Sequence, residues 1–105
     1  MAEEVYYNPA IFDKSFEDLE QSMKIAAKRQ AVIAHNIANA NTPDYEALEF
    51  DEVLGQAVVR ENNRKVVLEK EMAELSENNL KYSSYVKLMS QKLGILRTIA
   101  TQGKR

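Results

Sequence analysis

The sequence predicts an all-α fold: long N- and C-terminal heptad helices packed as an antiparallel hairpin, with a short middle helix and a turn between them. Three observations carry this. Apolar residues recur at alternating spacings of four and three over two long stretches. Only three glycines and two prolines interrupt the 105 residues. Thr42-Pro43 closes the first stretch, and proline lacks the N–H a helix interior needs while biasing the preceding residue away from α geometry. The length allows one domain with a core of limited size. The expected divisions of that single domain, 1–105, are a loose N-terminus over 1–8, a first helix over 9–41, a turn plus short helix over 42–65 and a second helix over 66–102.

Taken in order, Asn8-Pro9 starts the first helix, since Asn caps and Pro fits the first helical position. Asp13 adds negative charge near that positive end of the helix dipole. The stripe Phe12, Phe16, Leu19, Met23, Ala26, Gln30, Ile33 and Ile37 is a coiled-coil seam pattern. It runs into a cluster of amides, Asn36, Asn39 and Asn41, beside small alanines. One Asn would end a helix, so these three are read as serving both the turn and a contact with a neighbouring subunit. On that reading, Asn36→Ala and Asn39→Ala keep the helix and weaken assembly.

Ala47, Phe50, Leu54, Ala57 and Val58 recur at helical spacing, which predicts a short amphipathic helix over 46–60. Asn62-Asn63 then turns the chain. The second long helix carries Leu68, Met72, Leu75, Asn79, Tyr82, Val86, Met89, Leu93, Leu96 and Ala100 in the same alternation. Glu20–Lys24, Lys70–Glu74 and Glu77–Lys81 are i, i+4 pairs on outer faces. Arg97, Lys104 and Arg105 place positive charge toward the second helix's C-terminal end.

Folding the two stripes together gives an intrachain seam of Phe16, Leu19, Met23, Gln30, Ile33 and Ile37 against Leu68, Met72, Leu75, Asn79 and Tyr82. Gln30 and Asn79 are the lone amides of their stripes, and a hydrogen bond between them would fix register. A further stripe, Tyr85, Leu88, Ile95 and Ile99, makes the distal half of the second helix apolar over more than one seam. A helix that apolar needs a second partner, so these residues are expected at a subunit interface. A lone hairpin of this size, with no cysteine, is marginal and is expected to order among neighbours.

The residue inventory opposes an enzyme. His35 is the only histidine and there is no cysteine, so neither a catalytic triad nor a zinc site can be completed. Asp44, Glu46, Glu49 and Asp51 do not follow a calcium-loop spacing and read as a solvated acidic face. Isolated glycines make no phosphate loop. The formal net charge of −2 argues against a nucleic-acid partner. No cofactor, metal or small-molecule substrate is expected. No apolar run approaches a membrane span, and the first residues do not form a conventional secretory signal.

The segment NIANANTPDY, Asn36 to Tyr45, resembles the N-terminal signature of the flagellar rod and hook family, usually Asn-x-Ala-Asn-x-x-Thr-Pro-Gly-Tyr. Asn36, Asn39, Asn41, Thr42, Pro43 and Tyr45 carry the match as a turn and assembly signature. The last third resembles the closing helix of proximal-rod members through Leu68, Glu71 and Met72, through Asn78-Asn79-Leu80-x-Tyr82, and through Leu96-Arg97-Thr98. The sibling rod protein FlgC fits less well. The resemblance implies a structural subunit of the bacterial flagellar basal body rod, in the periplasmic space, exported by the flagellar type III apparatus without a cleaved signal. It implies contacts with other copies of itself, with FlgC and with the adaptor FliE. The alternatives are another axial protein such as FlgC, or a small helical export adaptor or chaperone, which has no reason to carry the Asn-Thr-Pro-x-Tyr turn. Three departures stand out. Asp44 replaces the usual Gly, Val67 replaces an Asp and leaves Asn62 or Asn63 as cap, and the middle segment is short.

Overall fold

A computed structural model describes the backbone of residues 9–103 and the side chains of residues 14–102. The expectations for residues 1–8, Phe12, Asp13, Lys104 and Arg105 lie outside those side chains. The chain runs helix α1 (Pro9–Ala38), strand β1 (Leu48–Asp51), strand β2 (Gln56–Val59) and helix α2 (Leu68–Gly103). It is mostly helical, with two long helices and a small two-stranded antiparallel sheet. Strands are present, so the all-α expectation does not hold.

Helix α1 stops at Ala38, before the expected 41. Its last turn tightens: the Asn39 N–H donates to the carbonyls of His35 and Asn36 at 3.1 and 3.2 Å, and the Ala40 N–H to Ile37 at 3.2 Å. The Asn39 amide donates back to the His35 carbonyl at 2.9 Å, and Thr42 Oγ1 donates to Asn39 Oδ1 at 3.1 Å. Asn39 thus gives the His35 carbonyl a second donor and anchors Thr42 to the helix end. Beyond Pro43, Asp44 takes a left-handed conformation at φ 61°. That is the conformation a glycine adopts without steric cost.

The expected middle helix over 46–60 is a β-hairpin. Leu48 pairs with Val59, Glu49 with Val58, Phe50 with Ala57, and Asp51 with Gln56. Helical spacing of five apolar residues misled here because the segment has its own turn chemistry. Asp51 Oδ1 accepts from the backbone N–H groups of Val53 and Leu54 at 2.9 and 3.0 Å. Gly55, at φ 68°, donates its N–H to the Asp51 carbonyl at 2.7 Å. An Asp accepting from the backbone two residues on, followed by a left-handed Gly, is a turn device, not a helical one. Asp51 is therefore a loop cap and not part of a solvated acidic face. The hairpin lies on α1: Lys28 Nζ donates to the Gly55 carbonyl at 3.4 Å, Arg29 pairs with Glu52, and both cations stand 6.0 Å from the Phe50 ring centroid.

The two helices touch at pairs whose numbers run in opposite directions. Asn36 meets Glu71, and Ala26 meets Asn78. On α1 the inner face follows the expected stripe: Ala26 and Ile33 are buried, and Phe16, Leu19, Met23 and Ile37 are half-buried. On α2 the face is rotated. Leu68 and Met72 are 46% and 55% exposed, while Glu71 and Asn78 are buried and Leu75 half-buried. Moving the face by one residue rotates a helix about 100°. The Gln30–Asn79 bond is accordingly absent, and both side chains are exposed. The buried amide is Asn78, whose Nδ2 donates to the Ala26 carbonyl at 2.7 Å. The small Ala26 side chain permits that approach. No basic residue lies in the last described turn of α2, and Asn63 sits at φ 53° in the loop, too far back to cap Leu68. Glu69 and Glu71 in the first turn face the dipole instead.

The molecule is long and thin, 66 × 23 × 15 Å, with a radius of gyration of 19.6 Å. A compact chain of this length has a radius near ~13 Å. Among described residues the buried hydrophobic side chains are only Ala26, Val32, Ile33 and Ala47. With so little core, turn geometry weighs heavily. Asp44→Gly is expected to raise stability by about 0.5–1 kcal/mol by relieving the left-handed strain, and Gly55→Ala to lower it by about 1 kcal/mol. Thermal midpoints of the two variants against the parent check both signs.

Candidate functional site

The signature residues gather around one side chain. Asn36 is fully buried, and its amide uses its whole hydrogen-bonding capacity. Nδ2 donates to the Leu48 carbonyl at 2.9 Å and to Glu71 Oε2 at 3.2 Å. Oδ1 accepts from the Leu48 N–H at 2.9 Å and from the Tyr45 hydroxyl at 2.7 Å. Two donors and two lone pairs are all an amide has. One side chain on α1 therefore fixes the turn through Tyr45, the start of β1 through both polar groups of Leu48, and the first turns of α2 through Glu71.

The network continues on both sides. Glu71, also fully buried, accepts from Arg60 Nη2 through Oε1 at 2.8 Å. Arg60 further donates to the carbonyls of Asn63 and Leu48, each at 3.4 Å. Its own backbone N–H donates to Ala47 at 2.8 Å, and the Ala47 N–H donates to Arg64 at 2.6 Å, which ties the loop after β2 to the segment before β1. On the outer side, His35 Nδ1 stands 2.8 Å from the Tyr45 oxygen. The Tyr45 proton is committed to Asn36 Oδ1, which can only accept. His35 must therefore carry its proton on Nδ1 and donate. His35 is thus a helix-end hydrogen-bonding group.

The remaining signature residues are peripheral. Asn39 and Thr42 finish the helix as described above. Asn41 and Pro43 are exposed. The seam residue Tyr82 is 36% exposed. Of the expected interface residues, Leu88 and Ile95 are exposed, whereas Tyr85 and Ile99 are half-buried toward the helix contact side. Sequence reasoning missed Arg60, Glu71 as a buried acid, and Asn78. A matched pair of opposite charges at the ends of the connection, Arg60 and Glu71, was the available signal.

The amides separate by role. Asn36→Ala leaves the Glu71 carboxylate and both polar groups of Leu48 short of partners in a dry site, so it should cost about 3 kcal/mol or more. Asn39→Ala loses one exposed terminal bond and should cost about 1 kcal/mol. Denaturant titration of the two variants checks the ranking. Equal losses would remove Asn36 from the centre of the network.

Burial pushes the Tyr45 phenol above its usual 10.0, the Glu71 carboxylate pushes it the same way, and Arg60 opposes them. The raised value means the folded state favours the neutral phenol. This contribution is complete below pH 10.0 and is lost as pH rises from there through the folded-state value. Stability should fall above that pH more steeply in the parent than in Tyr45→Phe, read from urea midpoints across the alkaline range.

Residues 21–45 match the family model described as flagella basal body rod protein. That span covers the second half of α1 and ends at Tyr45, inside the network. The chain is also 28% identical to the flagellar basal body rod protein FlgB of Bacillus subtilis (strain 168), over 90% of this chain and 99% of that protein. The alignment has 128 positions, so the relative holds residues this chain lacks. The local match on the Asn36 turn and the end-to-end likeness point the same way: both make the chain similar to flagellar basal body rod proteins.

Proposed function

We propose that this chain is a structural subunit of the flagellar basal body rod, a single domain whose helices pack as an antiparallel hairpin and assemble through the outer faces of α2. The opposed pairings of Asn36 with Glu71 and Ala26 with Asn78 support the hairpin. The observation that carries the assembly reading is the apolar surface left on α2. At about 100° per residue, Leu68, Met72, Val86 and Leu93 form one flank beside the intrachain contact. Leu88 and Ile95 form a flank on its other side, and all six are exposed.

A heptad-spaced apolar flank fits another helix, and two different flanks on one subunit make head-to-tail contacts that do not close. Non-closing contacts build a rod. Its neighbours are other copies of this chain, the rod protein FlgC and the adaptor FliE, met in the periplasmic part of the basal body after export through the flagellar apparatus without a cleaved signal. Structural work alone is expected of it, without catalysis or cofactor.

The test mixes purified chain with itself and with those two partners, and follows particle growth by light scattering and electron microscopy. Met72→Glu with Leu93→Glu should reduce assembly at least ~10-fold, since each loses a buried aliphatic contact. Circular dichroism should be unchanged, because both side chains are exposed in the single chain. A parent chain that stays monomeric with every partner would defeat the proposal.

A further inference from the structure

We infer that the open edge of β2 pairs antiparallel with the same edge of a second copy of this chain, joining two hairpins into one four-stranded sheet. This goes beyond the α2 contacts and uses none of their residues. In the hairpin register, Glu49–Val58 and Asp51–Gln56 exchange the ladder bonds, and the bond from the Arg60 N–H to the Ala47 carbonyl keeps the alternation. The N–H and C=O groups of Ala57 and Val59 therefore point away from β1. No described residue bonds to them. The other edge differs, since both outward groups of Leu48 are taken by Asn36. β1 rests on α1, whereas β2 rests mainly on β1, and Ala57 and Val59 are exposed.

Edge strands are ordinarily guarded by Lys, Pro or a bulge. Gln56 to Val59 carry no charge and no Pro, and the next side chain, Arg60, is turned inward onto Glu71. The spacing of the outward groups selects a second copy as the occupant, because this edge is its own complement. Pairing about a twofold axis at Val58 sets Ala57 against Val59 of the second copy, and Val59 against its Ala57. All four outward groups on each strand then bond. The same register sets Arg60 opposite Gln56 and Glu61 opposite Gly55, so no like charges face each other. The two β1 strands end three strand spacings apart, about 14 Å. That exceeds the ~10–12 Å width of a helix, so the α1 helices resting on them do not collide. The contact is isologous and closes at two copies.

The chain has no cysteine, so single introduced thiols read the register. Val58→Cys meets its counterpart across the axis at about 4.5 Å between Cα atoms, within disulfide range, and should crosslink with itself under mild oxidation. Gln56→Cys, on the same strand face, lies four residues out of step with its counterpart, ~13 Å along the strand. It should crosslink at least ~10-fold less, and equal yields would overturn the pairing. In parallel, Ala57→Pro removes only an outward N–H, a site where Pro is tolerated. It should keep the parent's circular dichroism and weaken the dimer, read by sedimentation, by roughly 10-fold or more. A folded Ala57→Pro chain that dimerises as the parent does overturns the proposal, and the two thiols decide it if that variant does not fold. Met72→Glu with Leu93→Glu should leave this dimer intact. A dimer lost through that pair would assign self-association to α2 and overturn the edge contact. A parent that stays monomeric alone, or whose edge is taken up only by an unlike rod subunit, overturns it as well.

Discussion

A single saturated amide sets the geometry of this molecule. Asn36 sits in α1, yet its four hydrogen bonds go to the turn, to the start of β1 and to α2. An amide leaves no slack when both donors and both lone pairs are used, so the positions of three later segments are fixed relative to the helix before them. Glu71 and Arg60 extend this into a buried ion pair. Such pairs contribute little net stability against an apolar replacement, but removing one partner is costly, about 3–5 kcal/mol. The network therefore acts mainly on specificity. That matters in a chain whose buried hydrophobic residues include two alanines, a valine and an isoleucine, since so small a core selects one register weakly.

The polar network also explains the uneven build along the long axis. At the turn end, the hairpin, the loop after β2 and both helices converge on Asn36. Toward the far end only the two helices remain among the described residues, 36 residues in α2 and 30 in α1. Several apolar side chains on α2, Val86, Leu88, Leu93 and Ile95 among them, stay exposed there. The consequence is a chain fixed at one end by hydrogen bonds, with exposed apolar side chains along α2 from Leu68 to Ile95.

Two long helices, and an end to the first ahead of Thr42-Pro43, were legible from spacing and from proline chemistry, whereas Asn36, read as serving the turn and a neighbouring subunit, spends its whole amide within the chain. The middle helix was not, because Ala47, Phe50, Leu54, Ala57 and Val58 satisfy helical spacing by coincidence. Asp51 and Gly55, which decide the matter, act through backbone geometry that periodicity does not see. The phase of α2 was misread for a deeper reason. A reading based on apolarity assigns the most apolar stripe to the partner in the same chain. Here that position goes to Glu71 and Asn78, whose partners are a side chain, Asn36, and a backbone carbonyl at Ala26. Neither pairing can be seen without knowing which residues face them.

That misreading bears on what the heptads are for. Leu68, Met72, Val86 and Leu93 keep the regular spacing of a coiled-coil seam, and all four are exposed. Had the intrachain contact used this stripe, the helices would have gained more apolar burial and left α2 with far less surface for another helix. Using Glu71 and Asn78 instead gives a contact that is specific but thin. The apolar stripe is then left exposed, where the proposed association would bury it. On the proposed assembly, each neighbour that binds the folded chain adds to its stability by mass action. Register within the chain rests on hydrogen bonds, the proposed growth between chains rests on apolar area, and the two involve separate residues.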